Sequence, residues 1–427
     1  MQKVLILTYY WPPAGGPGVQ RWLKFVKYLP EFGIEPILYV PENPSYPIID
    51  HKLVEEIPED IMVLRKKIRE PYRWASLLSK SKTQTISRGM IAKKKQGFLE
   101  KILLWVRGNL FIPDARVAWV KPSVEFLGSY LQEHKIGTVI TTGPPHSVHL
   151  IGLGLKDKLD IRWIADFRDP WTSIGYHEKL RLSKASQQKH KDLERKVLSS
   201  ADQIVVTSQA TRSEFKNITS KPIEVVTNGY EDNPYTMALD EDFTIAHIGS
   251  LLTDRNPTRL WKVLHELVQT NELFAEKLKI QLVGVVGDEV KDSLAEHGLA
   301  DYVDFKGYLN HQEVLQLQQK AQLLLLLEIN SAQTAGIIPG KLFEYFAAKR
   351  PILAIGPKEW EAGIMVQATE SGTFLTPEDK TDLNTVLLEW FSRYQEKRLV
   401  ASPKNIEQYH RRQLTETLAN IIRWESS

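Results

Sequence analysis

The 427-residue chain contains no cysteine. Disulfides, thiolate metal sites and cysteine nucleophiles are thereby excluded, and the composition fits a reducing compartment. An excess of one charge sign is also missing: 55 Lys and Arg stand against 52 Asp and Glu, a formal net charge of +3. That balance gives no reason to expect nucleic acid as a partner. Long apolar runs are absent too, none approaching the roughly 20 residues needed to span a bilayer. The N-terminus carries only Lys3 ahead of a short apolar stretch that ends in Trp11-Pro12-Pro13. This lacks the form of a cleavable signal, and the expectation is a soluble or peripheral protein.

What the chain does have is size and alternation. Its 42% hydrophobic content supports two cores of about 200 residues each. Short β-branched runs at Val4 to Thr8, Pro36 to Val40, Thr138 to Thr142, Arg162 to Asp166 and Ile204 to Ser208 alternate with helical patterns. A second series follows at Thr244 to Ile248, Lys279 to Gly284, Val303 to Gly307, Leu323 to Glu328 and Pro351 to Ile355. Such alternation predicts parallel sheets with crossover helices. Between the series lie the turn formers Thr227-Asn228-Gly229-Tyr230-Glu231-Asp232-Asn233-Pro234 and the acidic Asp240-Glu241-Asp242. The predicted organisation is an α/β chain with a first Rossmann-like domain over residues 1–230 and a second over 231–403. A final helix over 404–427, with Ile406, Tyr409, Leu414, Leu418 and Ile421 on one side, is expected to cross back to the first domain.

Ligands of such folds bind at the carboxyl ends of strands, and the chemically suggestive segments fall there. After the first run come Gly15-Gly16-Pro17-Gly18, where glycines let a backbone approach an anion at a helix start. The turn satisfies neither G-x-G-x-x-G nor a Walker lysine, which disfavours NAD and ATP. Alone it is equally a tight strand-to-helix turn. Far downstream stands Pro339-Gly340-Lys341-Leu342-Phe343-Glu344-Tyr345. Lys341 and Glu344 either form an exposed ion pair three residues apart, or serve a diphosphate and a ribose respectively. His146, after Thr141-Thr142-Gly143-Pro144-Pro145, either caps a helix or faces a ligand. Asp166-Phe167-Arg168-Asp169-Pro170-Trp171 offers carboxylates, a guanidinium and an aromatic wall suited to a sugar, or an internal pair that fixes its loop.

Together with Asn228-Gly229 and His247-Ile248-Gly249-Ser250, with Arg255 nearby, these segments resemble in order and spacing a bacterial glycosyltransferase of family 4. The resemblance spans nearly the whole length. It implies a GT-B fold, two Rossmann-like domains facing across a cleft, and retaining sugar transfer from a UDP- or GDP-sugar to a glycan or lipid-linked acceptor in surface polysaccharide synthesis. It implies a cytoplasmic location, with peripheral contact at the inner face of the cytoplasmic membrane, and needs no cofactor or metal. The Asp-x-Asp string of Asp240-Glu241-Asp242 reads as coincidence in an acidic linker. Catalytic roles then fall to Gly16, His146, Arg255 and Lys341. Donor contacts fall to Gly15, Gly249, Ser250, Glu328, Gly336, Ile337, Ile338 and Glu344, and acceptor contacts to Asp166, Arg168 and Asp169. Two departures stand out: Gly336 occupies the place of the family's upstream Glu, and Ser250 that of an Arg. Glu328 and the backbone of Gly336 to Ile338 are the candidate substitutes for the first, Arg255 and Lys341 for the second.

Residues 91–121 carry Lys93, Lys94, Lys95, Lys101, Arg107, Arg116 and Lys121 against Glu100 and Asp114. Phe98, Leu99, Ile102, Leu103, Trp105, Val106 and Leu110 form an apolar face with Glu100, Lys101 and Gly108 opposite. This helix suits either an anionic membrane interface or ordinary packing on the first sheet. Two other functions fit the same layout, a sugar-nucleotide 2-epimerase and a non-catalytic nucleotide-sugar-binding scaffold at the membrane.

Overall fold

The computed structural model describes residues 1–68, 98–173, 180–379 and 383–423. They form two compact units, Met1–Asn228 with Arg411–Ser427, and Gly229–His410. In the first, β1 (Gln2–Thr8), β2 (Ile34–Pro41), β3 (Met62–Lys66), β4 (Thr138–Gly143), β5 (Arg162–Phe167), β6 (Gln203–Val206) and β7 (Ile223–Val225) pair in the order β3-β2-β1-β4-β5-β6-β7, all parallel. Strand β1 shows why the sheet is covered on both sides. Val4 and Ile6 join one apolar cluster while Leu5 and Leu7 join another, as the two-residue side-chain period demands. The order reverses between β1 and β4, which run in register from Val4 opposite Thr138 to Thr8 opposite Thr142. The Tyr9 to Gly18 and Gly143 to His146 segments therefore leave the sheet side by side.

The second unit repeats the plan with β8 (Phe243–Ile248), β9 (Leu278–Val283), β10 (Val303–Gly307), β11 (Leu323–Leu327), β12 (Ile352–Ile355) and β13 (Gly372–Leu375) in the order β10-β9-β8-β11-β12-β13. Its five-leucine strand β11 is wholly buried, with Leu323, Leu325 and Leu327 in one cluster and Leu324 and Leu326 in another. The order reverses between β8 and β11, and the helix Lys341–Ala348 begins just beyond that point.

The C-terminal apolar stripe is divided. Ile406 and Tyr409 lie in a short 3-10 turn, Ile406–Tyr409, packed into the second unit, and His410 then adopts an extended conformation. The helix proper, Arg411–Arg423, starts after it and buries Leu414, Leu418, Ala419, Ile421 and Ile422 against β1, β2 and the helix Pro17–Tyr28. Arg162 donates to the carbonyls of Ile421, at 2.7 Å, and Ile422, supplying partners for backbone acceptors that a helix end leaves open. Arg411 donates to the Gln20 carbonyl at 2.9 Å. Leu418 is almost fully buried in this seam, so Leu418→Ala is expected to destabilise the first unit by about 2–5 kcal/mol, read as a shift in its urea unfolding transition.

Candidate functional site

In the first unit the Gly15–Gly18 turn is folded against its own neighbours. The Gly15 amide donates to the Ile48 carbonyl at 3.0 Å, so it is not held out for a phosphate. Gly16 has φ 109°, a conformation that side chains resist, and caps the helix Pro17–Tyr28 through its carbonyl, which accepts from Val19 and Gln20. A Cβ on Gly18 would lie 2.3 Å from Arg168 Nη1. Glycine there leaves room for the guanidinium against the first helical turn. Arg168 donates from Nε to the Gly143 carbonyl at 3.2 Å and from Nη2 to Pro144, and its guanidinium carbon sits 5.9 Å from the Tyr10 ring centroid. The structure thus brings Gly16, Gly18 and Arg168 together at the switch point.

Asp166 is a correction. Instead of facing a ligand it is 1% exposed, accepting from Arg21 Nη2 at 2.9 Å, Trp22 Nε1 at 2.9 Å and Thr142 Oγ1 at 2.7 Å. Burial disfavours its charge, but Arg21 and these three donors together hold the carboxyl below its ordinary value. It ties the helix Pro17–Tyr28 to β4 and β5 and is no acceptor contact. Asp169 beside it is pushed up by burial against the pull of Arg168. His146, read as either a helix cap or a ligand-facing residue, takes the cap position. It sits at the N-cap of the helix Ser147–Lys156, 4% exposed, its ring stacked on Trp171 at 4.7 Å and 3°. Asp114 serves that helix start, accepting from Ser147 N and Oγ at 2.8 Å.

In the second unit the first helical turn at Lys341 folds over the end of β8. Lys341 Nζ donates to the Ile248 carbonyl at 2.8 Å and lies 3.4 Å from His247 Nε2. Burial, with the Arg255 guanidinium adding to it, lowers the ammonium to about 7 against the opposing pull of Glu328 and Glu344. Gly249, at φ 109°, follows directly, and a Cβ there would stand 3.6 Å from Nζ. Its amide is taken by the Val283 carbonyl at 2.9 Å, while Ser250 is exposed.

Two carboxylates assigned to the donor have partners of their own. Glu328, its side chain 0% exposed, accepts from Arg255 Nε at 3.0 Å and Nη2 at 2.9 Å, and from the Ile329 amide. It is the holder of Arg255, which keeps 34% of its side chain exposed, and is corrected as a sugar ligand. Glu344 turns away from Lys341 and accepts from Gln318 Nε2 at 2.9 Å, with His311 Nδ1 at 3.9 Å; no ion pair links the two motif residues. Ile337 is corrected as a source of free amides: its N–H donates to the Thr334 carbonyl and its own carbonyl accepts from Trp360 Nε1 at 2.7 Å. Gly336 lies in the same turn and Ile338 packs into the core.

Of the basic segment 91–121, Lys93 to Lys95 and the side chains of Phe98 to Leu103 lie outside the described residues. In the rest, the apolar and opposite faces are not divided as the sequence suggested. Leu104 is buried with Leu180, and a Cβ on Gly108 would lie 2.7 Å from the Leu180 carbonyl, whereas Trp105 and Leu110 are 47% and 65% exposed. Among the described residues no helix is long and apolar enough to cross a membrane, and no group of three or more His, Asp or Glu is placed to hold a metal.

A lysine, an arginine and glycine turns gathered at the carboxyl end of a doubly wound sheet suit a phosphate ester. Residues 235–412 match the family model of glycosyl transferases group 1. The match covers most of the second unit and supports a glycosyltransferase. No curated protein sequence matches the chain. Among solved structures, a lipopolysaccharide outer core galactosyltransferase, WaaB, shares 14% identity over 99% of both chains with a TM-score of 0.57. A Staphylococcus aureus TarM variant in complex with UDP shares 11% over 99% of this chain and 100% of that one, TM-score 0.56. An Escherichia coli trehalose-6-phosphate structure bound with UDP-2-fluoro glucose shares 10% over all of both chains, TM-score 0.58. These likenesses show the fold: two parallel-sheet, Rossmann-like domains of the GT-B class.

The Asp166 site yields a stability test. Asp166→Ala leaves the Arg21 guanidinium buried without its carboxylate and is expected to cost about 3–5 kcal/mol. Because the folded carboxyl titrates below its unfolded value, this stabilisation is full at neutral pH and lost as pH falls through the folded value. Urea unfolding of wild type and variant should therefore differ most near pH 7 and converge in acid.

Proposed function

We propose that the protein is a retaining glycosyltransferase of the family 4 kind, transferring a sugar from a UDP- or GDP-sugar to a glycan or lipid-linked acceptor in bacterial surface polysaccharide synthesis. The observation that carries the donor half is the Lys341 ammonium, held on the Ile248 carbonyl beside Gly249 at the switch point of the second sheet. Glycosyl transfer builds negative charge on the departing diphosphate as the sugar becomes oxocarbenium-like. Lys341, on the Ile248 carbonyl, and Arg255, paired with Glu328, are the cations to which that charge is assigned. Glu344, with 27% of its side chain exposed, is the candidate acceptor for ribose hydroxyls. The complexes of TarM with UDP and of the trehalose-6-phosphate structure with a UDP-sugar favour a uridine donor. WaaB, by its description, supports the surface-glycan context.

The acceptor half is assigned to the first unit, where Arg168 on Gly18 and the buried His146 beside Trp171 stand at the strand ends. Exposed Trp105 and Leu110 give the helix Phe98–Leu110 apolar side chains for peripheral contact with an anionic bilayer. No side-chain nucleophile is assigned; the leaving phosphate itself takes the proton of the attacking hydroxyl.

Removing one preorganised donor to a developing anion commonly costs about 3 kcal/mol of barrier, or roughly a hundredfold in rate. Lys341→Ala should lose about that much transfer activity, and Glu344→Ala should raise the donor KM, with both proteins folded by circular dichroism. Near-normal transfer by both variants overturns the assignment. Since the donor-free ammonium titrates near 7, UDP affinity measured calorimetrically should be greatest below that pH and weaken as pH rises through it.

A further inference from the structure

Strand β8 carries one imidazole in a wholly buried strand, Phe243-Thr244-Ile245-Ala246-His247-Ile248. His247 is 0% exposed, and its Nδ1 lies 3.0 Å from the Leu325 carbonyl on β11. A carbonyl only accepts, so the Leu325 contact calls for the proton on Nδ1 and the lone pair on Nε2, the Ser250 backbone being a second hydrogen-bonding group beside the ring. That lone pair faces Lys341 Nζ at 3.4 Å. The charged groups around the ammonium are Arg255 from the turn after β8, Glu328 from the end of β11, and Glu344 from its own helix. Glu328 is occupied by Arg255 and Glu344 by Gln318. Among the described residues the hydrogen-bonding partners of Lys341 Nζ are therefore the Ile248 carbonyl and the imidazole. The same strand end is locked by Tyr345, whose hydroxyl accepts from the Ile248 amide at 3.2 Å and lies 3.4 Å from the Leu325 carbonyl.

We propose that His247 is a positioning residue for Lys341: its neutral imidazole, anchored to the Leu325 carbonyl, accepts a hydrogen bond from the ammonium and holds that charge at the Gly249 turn for the donor diphosphate. The inference rests on the donor reading of Lys341. A histidine that merely filled the core would be replaceable by any side chain of its size. An acceptor for the ammonium favours its protonated form, so removing that acceptor moves Lys341 deprotonation to lower pH.

The test uses UDP as probe in the full-length protein, with calorimetric affinity followed from pH 5.5 to 9 on the wild type, His247→Phe, His247→Gln and Lys341→Ala. In His247→Phe the pH at which UDP affinity is half lost should fall by about one unit, roughly a fivefold loss at pH 7 that approaches tenfold at higher pH. His247→Gln, whose amide can donate to Leu325 and accept from Lys341, should restore the wild-type midpoint. An unmoved midpoint in His247→Phe, or one in His247→Gln displaced as far as in His247→Phe, overturns the proposal. Nitrogen NMR of wild-type protein carrying labelled histidine tests it without any variant: a proton on Nε2 rather than Nδ1 also overturns it. The Lys341→Ala arm separates the two readings. If that variant binds UDP as the wild type does, the donor site itself is misassigned. If it loses UDP while His247→Phe keeps the wild-type midpoint, only the role of His247 fails.

Discussion

An ammonium drawn partly out of water needs oxygen or nitrogen acceptors for its protons, and the end of β8 meets that need for Lys341 with the Ile248 carbonyl and the His247 ring. The arrangement follows from the sheet. Parallel pairing of β8 with β11 places the Leu325 carbonyl where His247 can reach it. The helix after β11 must start over the switch point, so its first residue overhangs the last carbonyl of β8. Gly249 at positive φ then turns the chain away without a side chain to crowd the nitrogen. Each piece has a local cause, and the lysine is where they meet.

The first unit solves the opposite problem, a buried anion. Asp166 on β5 is stable as a carboxylate because Arg21, Trp22 and Thr142 converge on its two oxygens. Arg21 is itself spread further, donating to the Thr227 carbonyl at 2.6 Å. A buried pair of this kind contributes little by comparison with apolar packing, but either half left alone is costly. Its consequence is positional: the helix Pro17–Tyr28 is pinned at its second turn, which fixes where Gly16 and Gly18 stand relative to Arg168.

Ten strands were legible in the sequence because buried parallel strands read as short β-branched or leucine runs. The other three described strands are edge pieces: Met62–Lys66 carries two cations, Ile223–Val225 is only three residues long, and Gly372–Leu375 opens on glycine. Such segments look like loop because little of their surface is buried. At the sites, residue types were readable and partners were not. Adjacency suggested an internal pair within the Asp166 to Trp171 segment, whereas the partner of Asp166 is Arg21, 145 positions away. Helical spacing suggested Lys341 with Glu344, whereas β8 captured one and Gln318 the other. His247, which the resemblance includes without a role, carries a signal of its own: one ionisable side chain in a buried strand, two residues before a glycine turn.

Arg255 and Glu328 show how the corrected assignments fit one electrostatic design. A carboxylate with no exposure that accepts two guanidinium hydrogens is closed off from a sugar hydroxyl as folded, and it fixes the plane of the arginine. The exposed third of that side chain is then a cation whose direction is set before any anion arrives. Preorganised charge of this kind favours a transition state over a flexible ground state because nothing has to reorient as the leaving group ionises. On the donor reading, Glu328 and His247 do the same work from two strands. Each surrenders its own contact with ligand to hold a cation in place, and it is the cations that face the phosphate.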